Sequence, residues 1–336
     1  MKKKLSHIHF TKKQWIILAI GIAVAASLPL FIQGQYPRHV LSLILLWSIL
    51  GMGWNFLGGY AGQVSVGHAV FYGLGAYSVA VLYAFYAVTP WVGFFVGMLV
   101  SVLAAFCIGL PLLRLRGHYF AVATLALAEC TRIIFVNWQF VNAAIGVEFL
   151  DRRANVWYSL QFIDRAHYHW FFLVVAVIVL LVSIYFDRSR FGYYLRAIKC
   201  NQDAAESLGI DTTRYKQYAL MLSAAICSLA GGLYAVYMAY VDPPMMFVLR
   251  ISLMICLVTV MGGLGTIFGP IIGAVILILI QEYSRVFLGG TGLGIDLIIY
   301  GVIVVLIVLF LPDGLLSLIP KIKSWVGRSK KGGAAA

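Results

Sequence analysis

Apolar runs close to the ~20 residues that an α-helix needs to cross the hydrocarbon core of a bilayer recur along this chain from residue 15 to residue 311. That recurrence, more than any motif, limits what the chain can become. Of its 336 residues 62% are hydrophobic and 11% charged, against roughly 25% charged in ordinary soluble domains. A soluble globule is excluded, and the reading is an all-α, polytopic transmembrane bundle that forms a single domain.

Ten spans are expected: 15–32, 40–56, 69–88, 91–113, 119–136, 170–186, 218–237, 248–261, 267–288 and 295–311. The eighth is the shortest and starts beside Arg250, so a re-entrant segment is its alternative. The opening MKKKLSHIHFTKK is basic, and no small-residue cleavage site follows the first apolar run, which is therefore read as a retained span. Residues 1–14 are then a basic cytoplasmic N-terminus, 15–311 the transmembrane domain and 312–336 a basic cytoplasmic tail.

The net charge of +13 would suggest nucleic acid in a soluble protein. Here the basic residues follow topology. Most of the 25 Lys and Arg fall in the N-terminus, the Arg114–Arg116 loop, the 187–216 segment and the tail. An even number of spans puts all four on one side, in agreement with the positive-inside rule. No nucleic-acid partner is expected. The segment 137–169 lies on the opposite side, mixes acidic, basic and aromatic residues, and is long enough to carry a short helix or hairpin.

The inner segment DRSRFGYYLRAIKCNQDAAESLGIDTTRYK, 187–216, carries a helix signature. Asn201 is placed to cap, Asp203 sits in the first turn where the macrodipole favours an anion, Ala204 and Ala205 extend the helix, and Gly209 can end it. The small alanines would let this helix approach another protein's backbone, with Glu206 as a polar contact at its edge. A surface linker is the plainer reading of the same spacing.

Glycine clusters break the apolar pattern twice. GGYAGQVSVGHAVFYGLGAY, 58–77, follows the second span, and MGGLGTIFGPIIGAV, 261–275, follows the eighth. Gly58, Gly59, Gly62, Gly67 and Gly75 run parallel to Gly262, Gly263, Gly265, Gly269 and Gly273, a faint two-fold repeat with both copies on the cytoplasmic side. Glycine allows positive φ and close backbone approach. Single glycines in membrane helices serve packing. Taken together with Gln63, Ser65, His68 and Pro270, which are costly against lipid, the clusters point to broken segments facing protein or water, as candidate hinges or pathway lining.

Two ion pairs fall at membrane depth, Glu129 with Arg132 and Glu282 with Arg285, each three residues apart on one helix face. Intramembrane charges are functional by default, yet each pair neutralises itself. Five cysteines lack CxxC or CxxH spacing, so neither a disulfide nor a metal site is expected. His68, His118, His167 and His169 are read as interfacial. GxxxxGK[ST], HExxH and GxSxG do not occur in the sequence.

GYAGQVSVGHAVFYGLGAY (60–77 within it), LRGHYFAVATLALAE (115–129), LRAIKCNQDAAESLGID (195–211), MGGLGTIFGPIIGA (261–274) and LPDGL (311–315) together resemble, in order, the recurring segments of the LivM-type permeases of branched-chain amino-acid ABC transporters. The resemblance covers nearly the whole chain. It implies an importer half-pore without chemistry or cofactor of its own, in a bacterial inner membrane. Its implied partners are a second homologous permease, two cytoplasmic subunits that carry ATP and Mg, and an external substrate-binding protein. AAESLG at 204–209 then resembles an EAA-type coupling helix that docks on the ATPase. Urea and short-amide importers share the resemblance. A self-contained ion-coupled carrier, using Glu129 and Glu282, and a receptor or scaffold without transport are the alternatives from other classes.

Overall fold

The computed structural model describes residues 12–32, 34–115, 117–149, 156–162, 164–288, 301–302, 305, 309 and 314–317. Its long helices are α1 (Lys12–Phe31), α2 (Gln35–Asn55), α3 (Ala69–Tyr86), α4 (Pro90–Leu112) and α5 (His118–Asn137). After the short α6 (Val156–Ser159) come α7 (Arg165–Arg188), α8 (Arg190–Cys200), α9 (Gln202–Ser207) and α10 (Thr212–Met238). The one-turn α11 (Pro243–Met246), α12 (Leu249–Gly262) and α13 (Gly269–Leu288) follow. The fold is an all-α membrane bundle, and eight helices among the described residues are long and apolar enough to cross a bilayer.

The span boundaries differ from those expected in instructive ways. α2 starts at Gln35 and runs on through a π-helical turn, Phe56–Tyr60, so the first glycine pair belongs to a helix rather than to a loop. α10 starts at Thr212 because Lys216 and Gln217 are buried inside the bundle, where Lys216 Nζ donates to Gln202 Oε1 (2.6 Å) and Gln217 Nε2 to the Ala105 carbonyl (2.9 Å). The eighth expected span, 248–261, is the 14-residue α12, only ~21 Å long at 1.5 Å per residue, and the preceding one-turn α11 extends it to a 20-residue candidate crossing, Pro243–Gly262. The first expected span is helical, but its described apolar part, Leu18–Phe31, is shorter than a full crossing. The tenth, 295–311, lies largely outside the described residues.

α2 and α10 are the most buried of the spanning helices and α5 the least. α2 packs against α7, α10, α12 and α13, while α10 packs against α3 and α4. The α3–α10 contact is backbone on backbone: a Cβ on Gly75 would run into the Ser228 carbonyl, and one on Gly231 into that of Tyr72. Small residues at such crossings let membrane helices gain dispersion contacts that lipid cannot match. The outward faces carry large apolar side chains such as Phe95, Tyr119, Ile134 and Tyr185, a surface that only an apolar solvent tolerates.

At the end of the bundle where α2 begins, the segment 137–169 forms two 3₁₀ turns, α6 and a two-residue strand, β1 (Val147–Glu148). The short helix is α6, one of the two expected alternatives for this segment, while β1 pairs antiparallel with β2 (Tyr240–Val241), which follows α10, in a long-range ribbon. Nearby, Arg38 donates to Asp164 Oδ1 (3.1 Å) and to the carbonyls of Ile32 and Pro29, which joins the ends of α1, α2 and α7. The Ala166 N–H, and then Arg38, hold the Asp164 carboxyl below its ordinary pKa. The tie is therefore present at neutral pH and weakens as pH falls through that depressed value.

Overpacking a close-packed contact costs typically 1–3 kcal/mol. Gly231→Leu should therefore abolish the monodisperse peak of the detergent-solubilised chain in gel filtration. Gly21→Leu, where an added Cβ meets nothing within 4 Å, should leave the peak unchanged.

Candidate coupling and hinge site

Both glycine clusters lie at the opposite end of the bundle, where α2 and α12 end and α10 and α13 begin. The chain leaves α2 through the Phe56–Tyr60 turn, passes Gly62 (φ 71°) and the half-buried Gln63, and turns back into the protein over 64–68 before α3 starts. Non-helical backbone at membrane depth is tolerated only where protein or water satisfies it. Three helices supply the backbone partners. Thr124 Oγ1 of α5 accepts from the Val66 N–H (3.0 Å), Ser252 Oγ of α12 accepts from the Ala69 N–H (2.9 Å), and Trp54 Nε1 of α2 donates to the Ser65 carbonyl (2.8 Å). Gly67 packs against the Thr124 carbonyl.

His68 is fully buried, not interfacial. It bridges Ser65 Oγ (3.0 Å from Nδ1) and Ser223 Oγ of α10 (2.8 Å from Nε2), with the Trp54 and Phe71 rings edge-on. A neutral imidazole with one donor and one acceptor fits between two hydroxyls that can do either. His169 is also buried, with Nε2 3.0 Å from the Ala25 carbonyl, while His118 is exposed at the start of α5. Among the described residues no group of three His, Cys, Asp or Glu side chains is placed to hold a metal.

The second break runs from Gly263 to Phe268 between α12 and α13. Gly262 packs against the Gly269 carbonyl, and Thr266 Oγ1 donates to the Gly263 carbonyl (2.8 Å) and accepts from the Gly269 N–H (3.1 Å). Pro270 sits in the first turn of α13, where its missing N–H has no helical acceptor to lose. Gly265 is at φ 74°, a conformation that side chains resist.

Asn55, in the last turn of α2, stitches the two breaks together. Its Oδ1 accepts from the Gly265 N–H and its Nδ2 donates to the Thr266 carbonyl, both at 2.9 Å. Gly59 lies directly on this joint, since a Cβ there would meet Asn55 and the Gly265 amide. From the surface, Lys199 of α8 donates to the Gly59 carbonyl (2.8 Å). The neighbouring Arg196 sits 5.7 Å over the Tyr60 ring while its guanidinium binds Asp187. α8 is amphipathic, burying Leu195 and Ile198.

α9 follows directly. Asn201 Oδ1 accepts from the Ala204 N–H (3.1 Å), Asp203 occupies the first turn, and Gly209 at φ 81° closes the helix, with its N–H donating to the Glu206 carbonyl (2.9 Å). Ala205 packs inward, whereas Asp203, Ala204, Ser207 and Leu208 face out, Leu208 being 81% exposed. Glu206 is exposed at the edge of α9, and its Oε1 accepts from Gln202 Nε2 (2.9 Å) and Thr212 Oγ1 (2.5 Å), tying α9 to the start of α10. Of the intramembrane pairs, Glu129–Arg132 lies on the exposed face of α5, with Arg132 Nε 3.0 Å from Glu129 Oε2. Glu282 is buried near the far end of α13, 3.3 Å from Arg285.

Asn55, Trp54, Thr124, Ser223 and Ser252 were not singled out from sequence. A lone amide within the apolar run SILGMGWNFLGG was the one available signal, because an unpartnered amide there is expensive.

Residues 36–311 match the model of the family described as branched-chain amino acid transport system / permease component, a stretch that contains the breaks, α8, α9 and the helices around them. The chain belongs to this permease family. It is 29% identical over 95% of its length to the high-affinity branched-chain amino acid transport system permease protein LivM of Salmonella typhimurium, covering 79% of that protein. The LivM protein of Escherichia coli strain K12 is 28% identical with the same coverages. Similarity extends to an archaeal protein, the probable branched-chain amino acid transport permease protein LivH of Methanocaldococcus jannaschii, 23% identical over 88% of this chain and 84% of that one. No solved structure matches.

Each hydrogen bond contributes ~0.5–1.5 kcal/mol, and a buried group left unpaired costs more. Asn55→Leu, which leaves the Gly265 N–H and Thr266 carbonyl unpartnered, should lower the thermal midpoint of the purified chain by several degrees in detergent. Asn55→Asp, which keeps the acceptor, should lose less.

Proposed function

We propose that this chain is the membrane permease subunit of an ATP-driven importer in a bacterial cytoplasmic membrane, carrying branched-chain or related amino acids inward by alternating access. The observation that carries the reading is the family match over residues 36–311, together with relatives named for branched-chain amino-acid transport. Relatives named both LivM and LivH support pairing with a second, homologous permease. Within these 336 residues there is no phosphate-cradling GxxxxGK[ST] loop, so ATP and Mg belong to two cytoplasmic partner subunits. An external binding protein delivers the substrate to the end that carries β1 and β2.

α9 is the docking element for an ATPase subunit. Its outward face offers small Ala204 and the apolar Leu208, which is uncovered in the isolated chain. Closure of the ATPase dimer pushes on α9, and the push passes through α8. Lys199 carries it to the Gly59 carbonyl and Asn55 onward to Gly265, so one displacement reaches both broken segments. Glu129 and Glu282 are each paired with an arginine of their own helix, which supports packing rather than ion coupling.

The test is ATP-dependent leucine uptake by the reconstituted assembly. Ala204→Arg and Leu208→Arg should each release the ATPase subunits from the purified complex and abolish uptake, with losses in the ≥2 kcal/mol range of interface anchors. Full retention of ATPase and uptake in both variants overturns the docking role.

A further inference from the structure

At the end of the bundle away from the glycine joint, a cavity of about 470 Å³ opens between α2, α10, α12 and α13. Its lining is mixed in chemistry. Aliphatic Leu43, Leu46, Ile251 and Ile278 and the rings of Trp47, Tyr72 and Tyr234 share it with Arg250, Gln281, Glu282 and Arg285. Leu46 lies 11 residues into α2, so the cavity reaches ~16 Å along that helix at 1.5 Å per residue.

The polar part of the lining is built but incompletely used. Glu282 is held in place by Tyr36, whose hydroxyl donates to Oε2 (3.1 Å), and by Arg285 (3.3 Å), while its side chain is 4% exposed. A carboxylate offers about four lone-pair sites, so acceptor capacity remains. Gln281 Oε1 is buried with no hydrogen-bond partner among the described residues, and each such group in a folded protein calls for an explanation. Arg250 has neither an ion pair nor a hydrogen bond among the described residues.

We propose that this cavity is a binding site for a free, zwitterionic α-amino acid with an aliphatic side chain, a reading that rests on the importer function above and names where its substrate sits. Arg250 takes the carboxylate, Glu282 and Gln281 Oε1 take the ammonium, and the apolar part of the lining takes the side chain. Other ligand classes fit less of the lining. An aliphatic amine leaves Arg250 unanswered, and an aliphatic carboxylate leaves Gln281 Oε1 unpaired. Urea has neither charge nor an apolar part, and a charged side chain would be desolvated against Leu43 and Ile278 at a cost. The cavity thus separates amino acids from short amides, which the sequence did not.

The experiment is equilibrium binding of radiolabelled leucine to the full-length chain, purified from detergent-solubilised membranes with whatever subunits remain attached and without the external binding protein. Leucinol, 4-methylpentanoate and urea serve as competitors. Leucine should compete at least about tenfold better than each, equivalent to ~1.4 kcal/mol. Arg250→Gln, at an exposed position, should remove the preference for leucine over leucinol. Gln281→Met should reduce the preference for leucine over 4-methylpentanoate. Absence of leucine binding by the wild type, or wild-type preferences in both variants, overturns the site. Should the assembly accumulate leucine with ATP while both variants behave as wild type, the importer reading stands and the cavity falls. Should the cavity bind leucine selectively while the assembly accumulates none, the reverse holds.

Discussion

Irregular backbone inside a membrane bundle has to be answered by protein, and this fold is arranged around that requirement. Two stretches leave helical geometry within the core, and nearly every partner they need comes from a different helix. Thr124, Ser223, Ser252 and Trp54 hold the first stretch, and Asn55 holds the second. Without those side chains each unmatched amide or carbonyl would cost several kcal/mol in hydrocarbon. The hydroxyls, the imidazole and the amide are therefore conditions for having breaks at all. α2 carries two of these partners and is the most buried spanning helix.

The same arrangement divides the bundle into two working ends. At one end the breaks meet each other under α8, within a hydrogen bond of the surface segment that carries α9. At the other, α2, α10, α12 and α13 diverge around a cavity of mixed lining, beside the β1–β2 ribbon and the Arg38–Asp164 tie. α2, α12 and α13 reach both ends. They are close-packed, for example where Thr259 donates to the Gly51 carbonyl, and so form a continuous packed path between the two ends. Packed interfaces of this kind switch between discrete arrangements more readily than they deform.

Much of this was legible in the sequence because it is written locally. Apolar runs marked the helices, the Asn201 cap and Gly209 bounded α9, and the two glycine clusters marked the breaks. What was not legible depends on residues far apart in the chain. α10 begins early because Lys216 and Gln217 find acceptors on α9 and α4, so their polarity misled a reading by composition. Nothing near Glu206 in the sequence announces its bond to Thr212. β1 pairs with a strand more than ninety residues away. Asn55 and Lys199 gain their meaning only from contacts with Gly265 and Gly59, and no local rule joins those positions.

The hydrogen bond from Lys199 to the Gly59 carbonyl joins the surface segment directly to the broken helices, and it is the most direct place to test coupling. The measurement is leucine taken up per ATP hydrolysed, in proteoliposomes containing the complete assembly, for the wild type and for Lys199→Met, which keeps the aliphatic stem and removes the donor. The ATPase subunits should stay attached and active while uptake per ATP falls by roughly tenfold or more, within the span of a coupling free energy of 1–3 kcal/mol. An unchanged ratio would contradict transmission through this joint.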